Sequence, residues 1–266
     1  MVQLVAIDLD GTLYDSDSRV SPENRKAIAE CLKRKIKVII TTGKTISSVA
    51  QVIDQLNLVD PQIVSGGSAI IDRDKKVLFK LNIPTDLANE VVLLTRKYNK
   101  GLALSADDGL LYYEKGHPGI DYIAKTGDKT VKVEDLIQEK ITSRALVFTV
   151  TIDAQDEFNR IIEKELGQKL KFRRGGPIFL TAVNKSAGKA FALKKILEKF
   201  NIEPHQVAAI GDSENDLGML NLAGKAIAMD NAPQAVKKVA DFVVSDNDNH
   251  GVAEALYRYV LNGKIG

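Results

Sequence analysis

The sequence predicts an α/β fold, in which a wound parallel sheet forms the core and a second, α+β module is inserted into it. Short apolar segments alternate with amphipathic segments at both ends of the chain, and this alternation is interrupted in the middle. The length of 266 residues suffices for one large domain or two modest ones. A hydrophobic content of 44% and a charged content of 27% are typical of a soluble globular protein.

The N-terminal part alternates predicted strands and helices. The apolar runs that predict buried strands are QLVAID (3–8), KVIITT (37–42) and PQIVSGG (61–67). Ser21 can cap the first helix, with Pro22 in its first turn. The apolar faces of the two helices comprise Ala27, Ile28, Cys31 and Leu32 in the first and Ile46, Val49, Ile53 and Leu56 in the second. This spacing predicts a parallel sheet that is covered on both faces.

The pattern changes near Pro84 and becomes that of an α+β module. Its predicted elements are a helix over 86–98, a hairpin over 102–114 that turns near Asp108–Gly109, a strand over 144–152, a helix over 154–167, and strands over 169–174 and 178–183. We therefore predict that residues 84–185 form an inserted domain.

After residue 186 the first pattern resumes. The predicted elements are a helix carrying Leu193, Ile196, Leu197 and Phe200, strands over 206–212, 225–229 and 241–245, a short helix between the first two of these strands, a helix over 232–239 and a last helix from about Gly251. Residues 1–83 and 186–266 together then build one Rossmann-like wound core from both ends of the chain.

Composition excludes several classes of protein. The longest apolar runs are too short for a membrane span, and Asp8 and Asp10 interrupt the N-terminal apolar stretch, which argues against a signal peptide. Cys31 is the only cysteine, so we expect a buried thiol, no internal disulfide and a cytoplasmic location. The lysines are scattered rather than clustered with aromatic residues, so we expect no nucleic-acid partner and no membrane partner.

Polar groups follow four of the predicted core strands. They are Asp8 with Asp10, Thr41 to Gly43, Ser65 to Gly67, and Gly211 with Asp212. Ligands bind at the carboxyl ends of the strands in an open parallel sheet. Carboxylates that converge there raise each other's pKa unless a cation compensates, and Mg²⁺ suits an incomplete set of oxygen ligands.

These segments resemble the four motifs of the haloacid dehalogenase-like (HAD) phosphohydrolase superfamily. The matching segments are DLDGTL (8–13), TTG (41–43), Lys189 before a helix and GDSENDLGML (211–220), and AIAMDNAPQAVKKVADFVV (226–244) is similar to the Cof-type subfamily. The resemblance implies that the insertion is a cap of the C2B type. It also implies a Mg²⁺-dependent phosphatase that acts on a small phosphorylated metabolite, with a sugar phosphate as the expected substrate.

The resemblance further implies a role for each motif residue. Asp8 would be the nucleophile that becomes an aspartyl-phosphate, and Asp10 would be the general acid and base. Thr42, the N–H of Gly43 and Lys189 would hold the phosphoryl oxygens.

The remaining assignments concern the metal and its surroundings. Asp212 would bind Mg²⁺ together with the Asp8 carboxylate and the Asp10 carbonyl. Asn215 would contact the phosphate or a metal-bound water, and Asp216 would orient Lys189 or the metal waters. Lys185 is a rival to Lys189, but the spacing to Ala192–Leu193 favours Lys189.

Structural interpretations compete with these roles. Each motif residue taken singly fits a turn, a helix cap or a solvated side chain, and only their joint occurrence favours a site. Lys44 stands where the family usually has arginine, and Ser65 to Ser68 where many relatives have Asn-Gly. A phosphotransferase or phosphomutase, and a non-catalytic sugar-phosphate-binding regulatory protein, are the alternative functions. In the inserted domain, Tyr112 or Tyr113 with Asp107 or Asp108 could face the substrate.

Overall fold

Two β-sheets organise the chain, for which a computed structural model describes residues 1–114, 128–151, 157–175 and 179–261. The strands are β1 (Leu4–Asp8), β2 (Lys37–Thr41), β3 (Gln62–Val64), β4 (Ala69–Ile71), β5 (Val77–Lys80), β6 (Leu102–Ala106), β7 (Leu111–Glu114), β8 (Thr130–Val133), β9 (Ala145–Thr151), β10 (Leu170–Gly175), β11 (Phe179–Asn184), β12 (Val207–Gly211), β13 (Lys225–Met229) and β14 (Phe242–Val244). The helices are α1 (Pro22–Lys33), α2 (Ile46–Gln55), α3 (Thr85–Lys97), α4 (Phe158–Leu166), α5 (Lys189–Phe200), α6 (Leu217–Leu222), α7 (Gln234–Lys237) and α8 (Gly251–Ala255).

The core sheet has the strand order β14-β13-β12-β1-β2-β3-β4-β5. From β14 to β3 its strands pair in parallel. The chain moves outward from β1 through β2 and β3, and later returns beside β1 at β12. Strand order therefore reverses between β1 and β12, and this reversal opens a crevice at their carboxyl ends.

Two short strands extend this sheet beyond the predicted parallel part. β4 pairs antiparallel with β3, and β5 pairs antiparallel with β4. Neither segment is predicted as a strand from the sequence. Each is only three or four residues long, and the reversal that pairs β4 with β3 depends on the tight turn at Ser65–Gly67.

Helices cover both faces of the core sheet, as the alternation predicts. One face packs Val5, Ile7, Val38 and Ile40 against α1, α2 and α8. The opposite face packs Leu4, Ala6, Ile39 and Ile63 against α5, α6 and α7. The α/β fold class predicted from the sequence is thereby confirmed.

Helix α1 follows the sequence prediction closely. The Ser21 hydroxyl accepts a hydrogen bond from the Asn24 N–H at 3.2 Å, and Pro22 occupies the first turn. Cys31 is fully buried on the inner face of the helix, so the prediction of a buried thiol is confirmed. Burial raises the pKa of this thiol to about 12.

In the structure one predicted helix of the core is shorter, and the inserted module contains one strand that the sequence does not predict. The helix expected over 232–239 is limited to α7, since Pro233 precedes its first residue. Strand β8, which pairs in parallel with β7, is absent from the sequence prediction. No helix within the described part of the chain is both long enough and apolar enough to cross a membrane.

The second sheet, here named the cap sheet, has the strand order β10-β11-β9-β6-β7-β8. It is antiparallel except for the β7–β8 pair. Helices α3 and α4 bury one of its faces with an apolar layer that includes Leu104, Phe148 and Phe158. The other face is directed at the crevice of the core. The domain boundaries at 84 and 185 stay a prediction.

Gly67 brings the turn after β3 into backbone contact with the segment that precedes α5. Its φ is +87°, and a Cβ atom at this position would lie 2.3 Å from the carbonyl carbon and oxygen of Gly188. Only glycine combines this backbone conformation with such a close approach. The contact fixes where α5 begins, and Lys189 is the first residue of that helix.

We therefore predict that Gly67→Ala lowers the free energy of unfolding by at least about 2 kcal/mol, because it adds both strain and a backbone clash. Gly43→Ala is the matched control. A Cβ atom at Gly43 has no described heavy atom within 4 Å, so its effect should stay within about 0.5 kcal/mol. Urea unfolding of both variants measures the difference, and equal stability of Gly67→Ala and the wild type would contradict the proposed constraint.

Candidate active site

A buried ionic cluster lies at the carboxyl end of β1. The Lys189 Nζ donates hydrogen bonds to Asp8 Oδ1 and, at 2.6 Å, to Asp216 Oδ1. The three side chains are between 0 and 7% exposed. Burial of charges costs free energy unless they are paired and hydrogen-bonded, and here one ammonium group serves two carboxylates.

Asp216 also organises the loop that follows β12. Its Oδ2 accepts hydrogen bonds from the N–H groups of Asp212 and Ser213 at 3.2 and 3.0 Å, and from the Ser213 hydroxyl at 3.0 Å. A Cβ atom on Gly211 would lie 2.6 Å from the Asp216 Cβ, so the strand end and this side chain are in close contact. Asp216 therefore positions both Lys189 and Asp212.

Asp212 lies against the turn that follows β1. Its Oδ1 accepts a hydrogen bond from the Thr12 hydroxyl at 2.8 Å. Gly11 has a φ of +75°, and a Cβ atom there would lie 2.5 Å from Asp212 Oδ2. A residue with a side chain at position 11 would displace this carboxylate, so the glycine of the DLDGTL segment allows the two strand ends to meet.

The pKa values reflect this crowding. Burial raises the pKa of Asp8 well above its ordinary value, Lys189 opposes the rise, and Asp216 and Asp212 add to it. Burial lowers the pKa of Lys189, but Asp8 and Asp216 outweigh that effect and raise it to about 12. Burial and the charge of Asp216 also raise the pKa of Asp212, despite the hydrogen bond from Thr12.

Fully ionised, these three carboxylates and one ammonium group leave two negative charges. One carboxylate oxygen from each of Asp8, Asp212 and Asp216 lies within 4.8 Å of the other two. Four donors already hold Asp216, which leaves Asp8 and Asp212 as the carboxylates best able to bind a cation. Such a set of hard oxygen donors fits a divalent ion such as Mg²⁺.

Asp10 is not part of that carboxylate cluster. Its side chain is 55% exposed, and its Oδ1 lies 3.1 Å from the Nζ of Lys44. Lys44 therefore forms an ion pair with Asp10 at the mouth of the crevice.

Thr42 and Gly43 lie side by side but differ in exposure. Thr42 is fully buried, and its Oγ1 accepts a hydrogen bond from the Lys44 N–H at 3.1 Å. The Thr42 hydroxyl can still donate, because this contact uses only an oxygen lone pair. Gly43 is exposed, and its backbone faces the crevice.

A cavity of about 570 Å³ separates the core from the cap sheet. Of the site residues predicted from the sequence, those that line it are Asp8, Asp10, Gly43, Lys189 and Asn215. Thr42, Asp212 and Asp216 are not among the described residues that line it. Lys185 is distant from it, since it is exposed and its Nζ donates to the Gln168 carbonyl at 2.7 Å.

Of the candidate substrate contacts in the predicted hairpin, Tyr112, Asp107 and Asp108 are bonded elsewhere, whereas Tyr113 shares a face of β7 with the cavity-lining Leu111. The Tyr112 hydroxyl donates to Asp108 at 2.7 Å, and its ring packs in the apolar layer of the cap sheet. Asp107 pairs with Lys80 and Arg144. None of these side chains is among the described residues that line the cavity.

The cap wall of the cavity includes residues that sequence reasoning missed. They are Ser105, Leu111, Asp128, Val147, Thr149, Arg173, Phe179, Thr181 and Val183. Several occupy alternate positions of their strands, which places them on the sheet face opposite the apolar layer. Strand alternation separates the two faces of each strand, but it does not indicate which of them the helices cover.

Comparisons with known proteins agree with this architecture. A model of haloacid dehalogenase-like hydrolases matches residues 5–256. The chain is 30% identical over 262 residues to the 5-amino-6-(5-phospho-D-ribitylamino)uracil phosphatase YcsE of Bacillus subtilis, with 98% of this chain and 96% of that protein covered.

Solved structures give the same result. A haloacid dehalogenase-like hydrolase from Bacteroides thetaiotaomicron has a TM-score of 0.88 at 26% identity, over 97% of this chain and 99% of its own. TM0651 from Thermotoga maritima has a TM-score of 0.87 at 27% identity, over 97% of each chain. The resemblance found in the four sequence motifs is confirmed, and the chain belongs to the haloacid dehalogenase-like hydrolases.

Proposed function

We propose that this phosphatase hydrolyses a small sugar or polyol phosphate through a phosphoenzyme formed on Asp8. The observation that carries the proposal is the position of Asp8 at the floor of the cavity, buried against Lys189. A carboxylate in that setting can attack phosphorus because the ammonium group beside it also attracts the negative phosphoryl oxygens.

Asp8 and Asp10 have different environments, which supports different roles. In the first step an Asp8 oxygen bonds to phosphorus, the bond to the leaving oxygen breaks, and Asp10 gives that oxygen a proton. In the second step Asp10 takes a proton from water as the water oxygen attacks the same phosphorus and releases Asp8. The half-exposed Asp10 can exchange protons with solvent, whereas the buried Asp8 cannot do so readily.

Several groups are proposed to hold the phosphoryl oxygens during both steps. They are the Lys189 ammonium, the Thr42 hydroxyl and the N–H of Gly43, with the Asn215 amide at the cavity wall. Asp216 would keep Lys189 in place through its contact at 2.6 Å.

Mg²⁺ is the proposed metal, held by the carboxylates of Asp8 and Asp212 and by the Asp10 carbonyl. When bound, it would supply positive charge that offsets the surplus of carboxylates and the charge of the phosphoryl group. The close packing of Asp8 and Asp212 supports this assignment.

The cavity wall supports a hydroxyl-bearing leaving group. Thr149, Thr181, Ser105 and Ser65 place hydroxyl groups around it, and its volume of about 570 Å³ suits a small metabolite. The Bacillus subtilis relative is named for a substrate with a phosphorylated ribityl chain, which is a polyol. That compound belongs in a substrate screen beside common sugar phosphates.

Asp8→Asn should lower the rate of phosphate release by at least about a thousandfold, because an amide cannot replace the carboxylate as nucleophile. Activity of the wild type should also disappear with EDTA and return with Mg²⁺. Release of inorganic phosphate from a metabolite panel measures both effects.

Asp17→Asn is the matched control for that experiment, since Asp17 lies in the same segment but is exposed and pairs with Arg19. It should retain wild-type turnover. Comparable turnover by Asp8→Asn and Asp17→Asn would contradict the assigned nucleophile.

Lys44→Ala should lower kcat/KM about tenfold, because the Asp10 carboxylate loses the ammonium group that orients it. Lys44→Arg should keep most of the activity, since arginine can also pair with Asp10. Lys194→Ala removes an exposed lysine from α5 and serves as the control. Steady-state kinetics of the three variants measure this effect. An unchanged kcat/KM in Lys44→Ala would exclude a role of Lys44 in orienting Asp10.

A further inference from the structure

The guanidinium of Arg173 reaches from the cap sheet into the floor region of the cavity. Its Nη1 lies 3.6 Å from the position that a Cβ atom would take on Gly66, and its Nη2 lies 3.7 Å from the corresponding position on Gly188. Gly66 follows β3, and Gly188 immediately precedes Lys189. The Arg173 guanidinium therefore lies close to the backbone of both core segments.

Arg173 has no counter-ion in the described part of the chain. No described carboxylate forms an ion pair with it, whereas Lys44 and Lys189, the other cations on the cavity wall, are paired with Asp10 and with Asp8 and Asp216.

Lys171 adds a second cation on the same face of β10, two residues from Arg173. Its Nζ lies 3.9 Å from the Cβ position of Gly188. Burial and the charge of Arg173 lower the pKa of Lys171. Burial also lowers the pKa of Arg173, although the charge of Asp216 opposes this effect. The two cations repel each other, and an anionic or acceptor group bound beside Arg173 would relieve that repulsion.

The surroundings of Arg173 present further hydrogen-bond donors. Thr181 is its cross-strand partner on β11, and Thr149 is the next residue across the sheet on β9. The hydroxyl groups of Ser65 and Ser105 also line the cavity, and each is buried without a hydrogen-bond partner among the described residues. Buried polar groups in native proteins are normally satisfied, so these hydroxyls indicate a polar occupant.

Arg173 lies between the floor of the cavity and its cap wall. Lys189 extends from the same backbone segment toward Asp8, where the phosphoryl group is proposed to bind. Arg173 instead approaches Gly188 from the cap, in line with Thr181 and Thr149. A substrate bound at Asp8 would therefore meet Arg173 with the part that leaves the phosphorus.

We propose that Arg173 is a specificity-determining residue that binds an acceptor oxygen on the leaving group of the substrate. This inference rests on the proposed phosphatase reaction and names the residue that would select phosphate esters whose alcohol portion carries further oxygen atoms. The planar fork of the guanidinium suits two acceptor oxygens at once, such as those of a carboxylate, a second phosphate or neighbouring hydroxyl groups.

The test compares wild type, Arg173→Ala and Arg173→Lys on two kinds of substrate. Phenyl phosphate has no acceptor oxygen on its leaving group beyond the ester oxygen, whereas sugar phosphates, phosphorylated carboxylic acids and bisphosphates do. Arg173→Ala should lower kcat/KM at least tenfold for the oxygen-rich substrates and change it less than twofold for phenyl phosphate. Arg173→Lys should show an intermediate loss, because it keeps the charge without the fork.

Inorganic phosphate provides a second readout, since it occupies only the phosphoryl position. Its inhibition constant should be unchanged in Arg173→Ala. Arg160→Ala removes an exposed arginine from α4 and controls for the loss of one positive charge in the same domain. The relative losses on carboxylates, bisphosphates and neutral sugar phosphates then identify which acceptor Arg173 prefers.

Two results would overturn the inference. If Arg173→Ala lowers kcat/KM equally for phenyl phosphate and for the oxygen-rich substrates, and also weakens inhibition by phosphate, Arg173 binds the phosphoryl group. If the ratio of kcat/KM between the two kinds of substrate is unchanged and phosphate inhibition is unaffected, Arg173 only connects the cap to the core. Failure of the proposed function is distinguishable, because the wild type would then hydrolyse neither kind of substrate. If Arg173→Ala does not fold, the selectivity of Arg173→Lys still decides the question.

Discussion

The candidate site depends on the hydrogen bonds and ion pairs that Lys189 forms with two buried carboxylates. One buried ammonium group holds Asp8 on one side and Asp216 on the other. Removal of either partner would leave a charge buried without compensation, which typically costs several kcal/mol. The network therefore fixes the first residue of α5, the end of β1 and the loop after β12 relative to one another.

The fold supplies the remaining constraints through close backbone approaches. Strand order reverses beside β1, so the carboxyl ends of β1 and β12 are adjacent and their acidic residues meet in one crevice. Gly11 allows Asp212 to approach the turn after β1, and Gly67 allows the turn after β3 to touch the segment before Lys189. Each glycine occurs where a side chain would separate two parts of the site.

Much of the core site could be predicted from the sequence, because its residues lie at strand ends that local patterns identify. Asp8, Asp212 and Lys189 are each adjacent to an apolar run or a helix start, and their meeting follows from the parallel topology. The cap wall could not be predicted in the same way. The position of Arg173 depends on antiparallel register across β10, β11 and β9 and on which face the helices cover, and both are long-range properties. The short strands β4, β5 and β8 escaped prediction because three or four residues give little periodicity.

The central claim is that Asp8 carries the phosphoryl group during turnover. The most direct test mixes the enzyme with Mg²⁺ and a substrate that it hydrolyses, and quenches the reaction rapidly with acid. Mass spectrometry of the peptides then locates any phosphoryl group. We predict a transient phosphoryl group on the peptide that contains Asp8, formed before phosphate is released and absent from Asp8→Asn. A burst of the dephosphorylated alcohol without any phosphorylated peptide, or phosphorylation at another residue, would contradict it.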